Sequence, residues 1–120
     1  MSASGSLTPA SPQVRELFDL SGRVAIITGG GGLLGVRHAE AIAEMGGVPV
    51  LLDRSGERLA RAATQLRASL GVEVAAEQCD ITDRAAVHAV VERLRRRFGR
   101  VDILINNAAL TVKSGGSEFD

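Results

Sequence analysis

Four short stretches of this 120-residue chain combine side chains and spacings suited to holding an anion and a flat heterocycle. The first, Thr28-Gly29-Gly30-Gly31-Gly32-Leu33-Leu34-Gly35, follows the apolar run Val24-Ala25-Ile26-Ile27 and leads into a proline-free segment. Glycines at such a junction permit a tight turn, let backbone approach a pyrophosphate closely, and allow a helix to pack against a strand. The helix N-terminus adds unpaired N–H groups and a partial positive charge. Gly29, Gly30, Gly31, Gly32, Leu34 and Gly35 are therefore candidate anion-binding residues. The plain alternative is a glycine-rich connector with no ligand, against which stand the strand before it and the helix after it. A nucleoside-triphosphate loop would need a Gly-Lys-Ser/Thr ending, and the single lysine of the chain is Lys113, far downstream.

The second stretch is Asp53-Arg54, which closes the run Val48 to Leu52. Asp53 follows Gly35 at close to the ~20-residue spacing at which an acid hydrogen-bonds adenosine ribose hydroxyls. A carboxylate there favours NAD, because a 2′-phosphate would meet its negative charge. The guanidinium of Arg54 could turn toward such a phosphate and leaves NADP open. In the third stretch, Cys79-Asp80-Ile81-Thr82-Asp83, Thr82 suits a helix N-cap and Asp83 the first helical turn. Asp80 is left at the strand end to accept the adenine amino group, with Ile81 covering the ring. The fourth, Asn106-Asn107-Ala108-Ala109, pairs amides that can bridge the backbone of adjacent strands with small residues that leave room for a ring and ribose. Cys79 and His88 read as structural, and Arg93 to Arg100 as the solvated side and end of a helix.

The elements needed to position these stretches follow from periodicity. Val24 to Ile27 is a strand buried on both faces, and Leu34 to Met45 a helix presenting Ala39, Ile42 and Met45 before Gly46-Gly47. Val48 to Leu52 is a second strand, in which Pro49 suggests a position near the start or at an edge. Ser55 caps a helix to Leu70 with the stripe Leu59, Ala62, Ala63, Leu66 and Leu70, and with arginines on its other face. Val72 to Glu77 forms a third strand, Thr82 to Phe98 a capped helix, and Val101 to Ile105 a fourth strand. Strand and helix alternate throughout, which implies an α/β fold: a doubly wound parallel sheet with right-handed crossovers and strand order 3-2-1-4. Ligands of such sheets bind beyond the carboxyl ends of the strands, where the order reverses. All four stretches lie at those ends.

Composition narrows the classes further. With 45% hydrophobic residues and 14 basic against 14 acidic side chains, the chain is of ordinary globular type and lacks the basic footprint of a nucleic-acid binder. One cysteine and two histidines provide neither a disulfide nor a four-ligand zinc site, and the cytoplasm is the default compartment. No window has the length and apolarity of a membrane span. Residues 1–13, rich in Ser and Pro, read as a disordered leader, and 14–120 as one domain.

Taken together, Phe18-Asp19-Leu20-Ser21-Gly22-Arg23-Val24, the glycine turn, Asp53, Asp80-Ile81 and Asn106 to Ala109 resemble the short-chain dehydrogenase/reductase family. That resemblance implies a Rossmann fold in which Gly29 to Gly32 and Leu34 contact the pyrophosphate side. It sets Asp53 at the adenosine ribose, Asp80 and Ile81 at adenine, and Asn107 with Ala108 near the nicotinamide ribose. It also implies hydride transfer between nicotinamide and a small alcohol or ketone, and a homo-oligomer when complete. A methyltransferase shares the glycine turn and the acid after strand two, and the double asparagine weighs against it.

Two departures stand out. Leu33 occupies a position at which single-domain members usually carry glycine. The resulting Thr-Gly-x-x-Gly-x-x-Gly spacing looks like that of extended, sugar-nucleotide-modifying epimerases and dehydratases, whereas Asn106 to Ala109 looks like the single-domain group, which is favoured. The family's catalytic Ser and Tyr-x-x-x-Lys have no counterpart, since the chain has no tyrosine and nothing assigns Lys113 that role. No catalytic residue is named. The expectation is the N-terminal, dinucleotide-binding part of a longer dehydrogenase, with a non-catalytic dinucleotide-binding module as the alternative. An apolar fourth strand at an open edge agrees with a missing neighbour and predicts marginal stability for the isolated chain.

Overall fold

The computed structural model describes residues 13–108; the leader up to Pro12, Ala109 and Lys113 lie outside the described residues. The elements are α1 (Val14–Leu17), β1 (Val24–Thr28), α2 (Leu33–Glu44), β2 (Val48–Asp53), α3 (Gly56–Leu70), β3 (Ala75–Gln78), α4 (Arg84–Phe98) and β4 (Ile103–Ile105). Four parallel strands lie in the order β3-β2-β1-β4, as the alternation of elements predicts. The short α1 has no counterpart in the periodicity; Gln13 is its N-cap, and the helix buries no residue.

Every residue of β1 is buried because both faces of the sheet are covered. Ile27 and Leu51 pack with Val36, Ala39, Leu59 and Leu66, so α2 and α3 share one face. Val24, Ile26, Val50 and Leu52 pack with Val90 and Leu94 of α4 on the other. Met45 falls off the buried stripe: it is the C-cap of α2 and is exposed, since the chain leaves the helix before another turn could return it to the sheet.

Pro49 is the second residue of β2, near the strand's start as expected; the strand itself is central, and the register shows why a proline is tolerated there. Val48 N–H donates to Arg23 on the β1 side, so the Pro49 nitrogen faces β3, whose pairing starts only at Val50 opposite Ala75. No ladder bond is lost there. The third strand begins at Ala75, not Val72, and Val72 is exposed; the chain after Gly71 first has to return to the sheet from a left-handed C-cap. Ser55 caps α3 as expected, its hydroxyl accepting Arg58 N–H. The cap of α4 is Asp83, not Thr82: Asp83 Oδ1 accepts Ala86 N–H at 3.1 Å, while the Thr82 hydroxyl is turned back to Asp80.

At the edge, β4 is short and Leu104 is 59% exposed. Asp102 fixes its start, exchanging backbone and side-chain bonds with Val24 at 2.9 and 2.8 Å.

Candidate functional site

The carboxyl ends of all four strands open onto one cavity of about 500 Å³. Gly29 follows β1, Leu52 and Asp53 end β2, Cys79 follows β3, and Asn107 with Ala108 follows β4; all of them line it. Gly32 and Leu34 line it too, as do Arg54, Asp80 and Ile81. Gly30, Gly31 and Gly35 are not on its wall and act from behind.

The glycine turn is a knot of backbone bonds. Gly30 N–H donates to Leu52 O at 2.8 Å, Gly31 N–H to Asp53 Oδ2 at 3.1 Å, and Gly32 N–H to Gly29 O at 3.1 Å. These donors hold the turn to β2 and to itself. The N–H groups of Leu33, Leu34 and Gly35 open α2 and have no intrahelical acceptor; Gly32 offers no side-chain cap. Those of Leu33 and Leu34, which line the cavity, are the donors left for an anion, reinforced by the helix dipole.

Within the turn only Gly29 has a positive φ, +66°, and a Cβ there would stand 3.0 Å from the Ala108 Cα. Gly35 is needed for approach, since its Cβ would stand 2.5 Å from the Gly29 oxygen. Position 33 meets neither demand. Leu33 begins the helix 78% exposed on the cavity wall, so the turn accommodates a leucine there without a clash.

Asp53 is buried, and both its oxygens accept backbone N–H groups, Oδ2 from Gly31 and Oδ1 from Ser55 at 2.9 Å. Each oxygen keeps acceptor capacity beyond these bonds. Asp80 is exposed, and Thr82 donates both hydroxyl and N–H to its Oδ1, at 2.7 and 2.9 Å. That hydroxyl bond, then the N–H, holds its carboxyl below the usual range, so it remains an acceptor at neutral pH. Burial, with Asp80 and Asp83 next, pushes the neighbouring Cys79 thiol up. Cys79 is thus a buried structural thiol, as its type suggests, and also part of the cavity wall.

Of the two asparagines, Asn107 makes the bridge: Nδ2 donates to Gly29 O at 3.2 Å. Asn106 is exposed and makes no described hydrogen bond. Two further participants are Thr28 and Arg58. Thr28, which heads the glycine motif, accepts the N–H groups of Asn107 and Ala108 on its hydroxyl at 3.0 and 3.1 Å, a long-range role that its place in the motif does not reveal. Arg58 does not stay on the solvent face of α3 with the other arginines; it lines the cavity, reaching over Gly31 and Gly32. Among the described residues no group of three His, Cys, Asp or Glu could hold a metal ion, and no helix is long and apolar enough to cross a membrane.

Residues 23–120 match the family described as short chain dehydrogenase. A short-chain dehydrogenase/reductase of Byssochlamys spectabilis, VdtF, is 37% identical over 101 residues, covering 84% of this chain and 32% of that protein. Among solved structures, NAD+-bound xylitol dehydrogenase superposes with a TM-score of 0.70 at 38% identity, over 76% of this chain and 35% of that one. The NADPH-dependent 3-quinuclidinone reductase of Rhodotorula rubra gives 0.69 at 38% identity, over 86% and 39%. The chain spans between about a third and just over half of the length of the curated relatives it matches, 32% and 44% in two of them and 54% in another. A parallel 3-2-1-4 sheet, a glycine turn stapled to its second strand and a family match running through all four strands have one common reading: this chain belongs to the short-chain dehydrogenase family.

Proposed function

We propose that this chain supplies the dinucleotide-binding part of an NAD(P)-dependent oxidoreductase, with NAD as the preferred cofactor and a small alcohol or ketone as substrate. One observation carries the reading: a single cavity gathers the ends of four strands together with the unpaired N–H groups that open α2. Its volume of about 500 Å³ lies within the range of small-molecule and cofactor sites. The donor set also fits, with N–H groups for phosphates, carboxylates for ribose and adenine, and small residues beside a ring.

Bound there, nicotinamide supplies the hydride chemistry. The N–H groups of Leu33 and Leu34 hold the pyrophosphate where Gly29 and Gly32 line the cavity, with Gly30, Gly31 and Gly35 shaping the turn behind it. Asp53 accepts from the adenosine ribose through lone pairs that Gly31 and Ser55 leave open, and its charge disfavours a 2′-phosphate. Arg54 stands at the same end and tempers that preference. Asp80 accepts the adenine amino group, Ile81 covers the ring, and Asn107 with Ala108 borders the nicotinamide ribose. A homo-oligomer working in the cytoplasm completes the proposal, supported by the family and by a single unpaired cysteine.

Titration of the intact protein with NAD+, NADP+ and S-adenosylmethionine, followed by calorimetry, tests this. NAD+ is expected to bind more tightly than NADP+, and S-adenosylmethionine not at all. Binding of S-adenosylmethionine alone would replace the reading with a methyltransferase.

A further inference from the structure

Arg58 stands apart from the other arginines of α3. Its Nη2 is where a side chain on Gly32 would begin, 2.7 Å from that Cβ position, and its own Cβ lies 2.8 Å from the Cβ position of Gly31. A side chain at 31 would meet both the Arg58 Cβ and the Asp53 carboxylate, which makes glycine necessary there, whereas one at 32 would meet only the movable end of the guanidinium. The guanidinium arrives over Gly32, the N-cap of α2, the helix whose first turn carries the unpaired N–H groups of Leu33 and Leu34.

Its charge is only partly matched. The nearest carboxylate oxygen, Asp53 Oδ2, stands at 3.9 Å, beyond hydrogen-bonding reach, and already accepts Gly31 N–H. Among the described residues the guanidinium donates no hydrogen bond. The Asp53 side chain is 6% exposed while that of Arg58 is 51% exposed and lines the cavity. A planar cation with its donors unused, set beside a helix N-terminus, is matched to a phosphate and not to a sugar hydroxyl.

We propose that Arg58 is a ligand-binding residue that grips a pyrophosphate oxygen of the nucleotide from α3, opposite the backbone donors of α2. This deepens the proposed dinucleotide function and rests on it. The 2′-phosphate of NADP is the other possible source of the same chemistry. The pyrophosphate is favoured because the guanidinium lies over Gly32 at the N-cap of α2.

Arg58→Met keeps the stem that packs over Gly31 and removes the charge; Arg58→Lys keeps the charge without the fork. Binding of NAD+, NADP+, ADP, inorganic pyrophosphate and adenosine to the intact protein and both variants is measured by calorimetry, with thermal unfolding alongside. In Arg58→Met, NAD+, NADP+, ADP and pyrophosphate are expected to weaken by a common factor of about tenfold, with adenosine and the melting temperature unchanged. Arg58→Lys should recover part of the loss. Weakening confined to NADP+ would overturn the proposal in favour of the 2′-phosphate, and unchanged binding of all four anions would overturn it outright. If the intact protein binds pyrophosphate through Arg58 but neither dinucleotide, the grip stands and the dinucleotide reading falls.

Discussion

The hydroxyl of Thr28 accepts the backbone N–H of Asn107 at 3.0 Å and that of Ala108 at 3.1 Å, so one buried side chain at the end of β1 fixes the wall that follows β4. Thr28→Val keeps the shape and leaves two N–H groups without that acceptor. Stability should fall by about 1–3 kcal/mol, and Thr28→Ser, which keeps the hydroxyl, should recover most of it. Urea unfolding of the three proteins measures this; equal midpoints would show that water replaces the hydroxyl.

Asp53 acts as a staple, because its two oxygens receive N–H groups from both sides of the β2 end. In Asp53→Asn one of those N–H groups must face an amide NH2. The expected result is a loss of about 1–3 kcal/mol together with weaker NAD+ binding. A variant as stable as the parent would mean that the carboxylate does not hold the turn.

Asp102 provides a pH signature. The Arg100 hydrogen bond, then the Val24 N–H, holds its carboxyl below the usual range. A folded pKa under the unfolded value of about 3.9 means that the ionised form favours folding: the contribution is complete above that value and is lost as pH falls through the folded one. The stability difference between the parent and Asp102→Ala should therefore be larger at pH 6 than at pH 3. An identical difference at both pH values would remove the ion pair from the account.

Cys79 should be slow toward thiol reagents. Burial and the neighbouring Asp80 and Asp83 keep it protonated at neutral pH, and the thiolate is the reactive form. Labelling by a disulfide reagent at pH 7.5 is expected to be far slower than in urea, and slower still with NAD+ present. Rapid labelling of the folded protein would show that the thiol is neither buried nor held protonated.

Much of this architecture could be read from residue pattern alone. Apolar runs bounded by glycine locate β1 and β2, and the stripe Leu59, Ala62, Leu66 locates α3, because burial on one face imposes a period that survives in the sequence. Boundaries resist the same reading. The shift of β3 to Ala75 and of the cap from Thr82 to Asp83 depends on which of two chemically similar neighbours the tertiary path selects. Among the residues that line the cavity, Asp53, Asp80 and Asn107 could be picked out because each ends or follows a strand. The roles of Thr28 and Arg58 could not be read this way, since one acts across some 80 residues of sequence and the other by bending back over a turn in another unit.

That separation has a consequence for the timing of synthesis. The bonds from Thr28 and Gly29 to Asn107 and Ala108 join residues 78 to 80 positions apart, so the glycine turn is made long before the strand that completes its cavity. At the ~5–20 residues per second of translation, the interval is on the order of 4–16 s. Throughout it the nascent chain carries half of a pocket, and a nucleotide can favour the folded state by mass action only after Ala108 has cleared the ribosome.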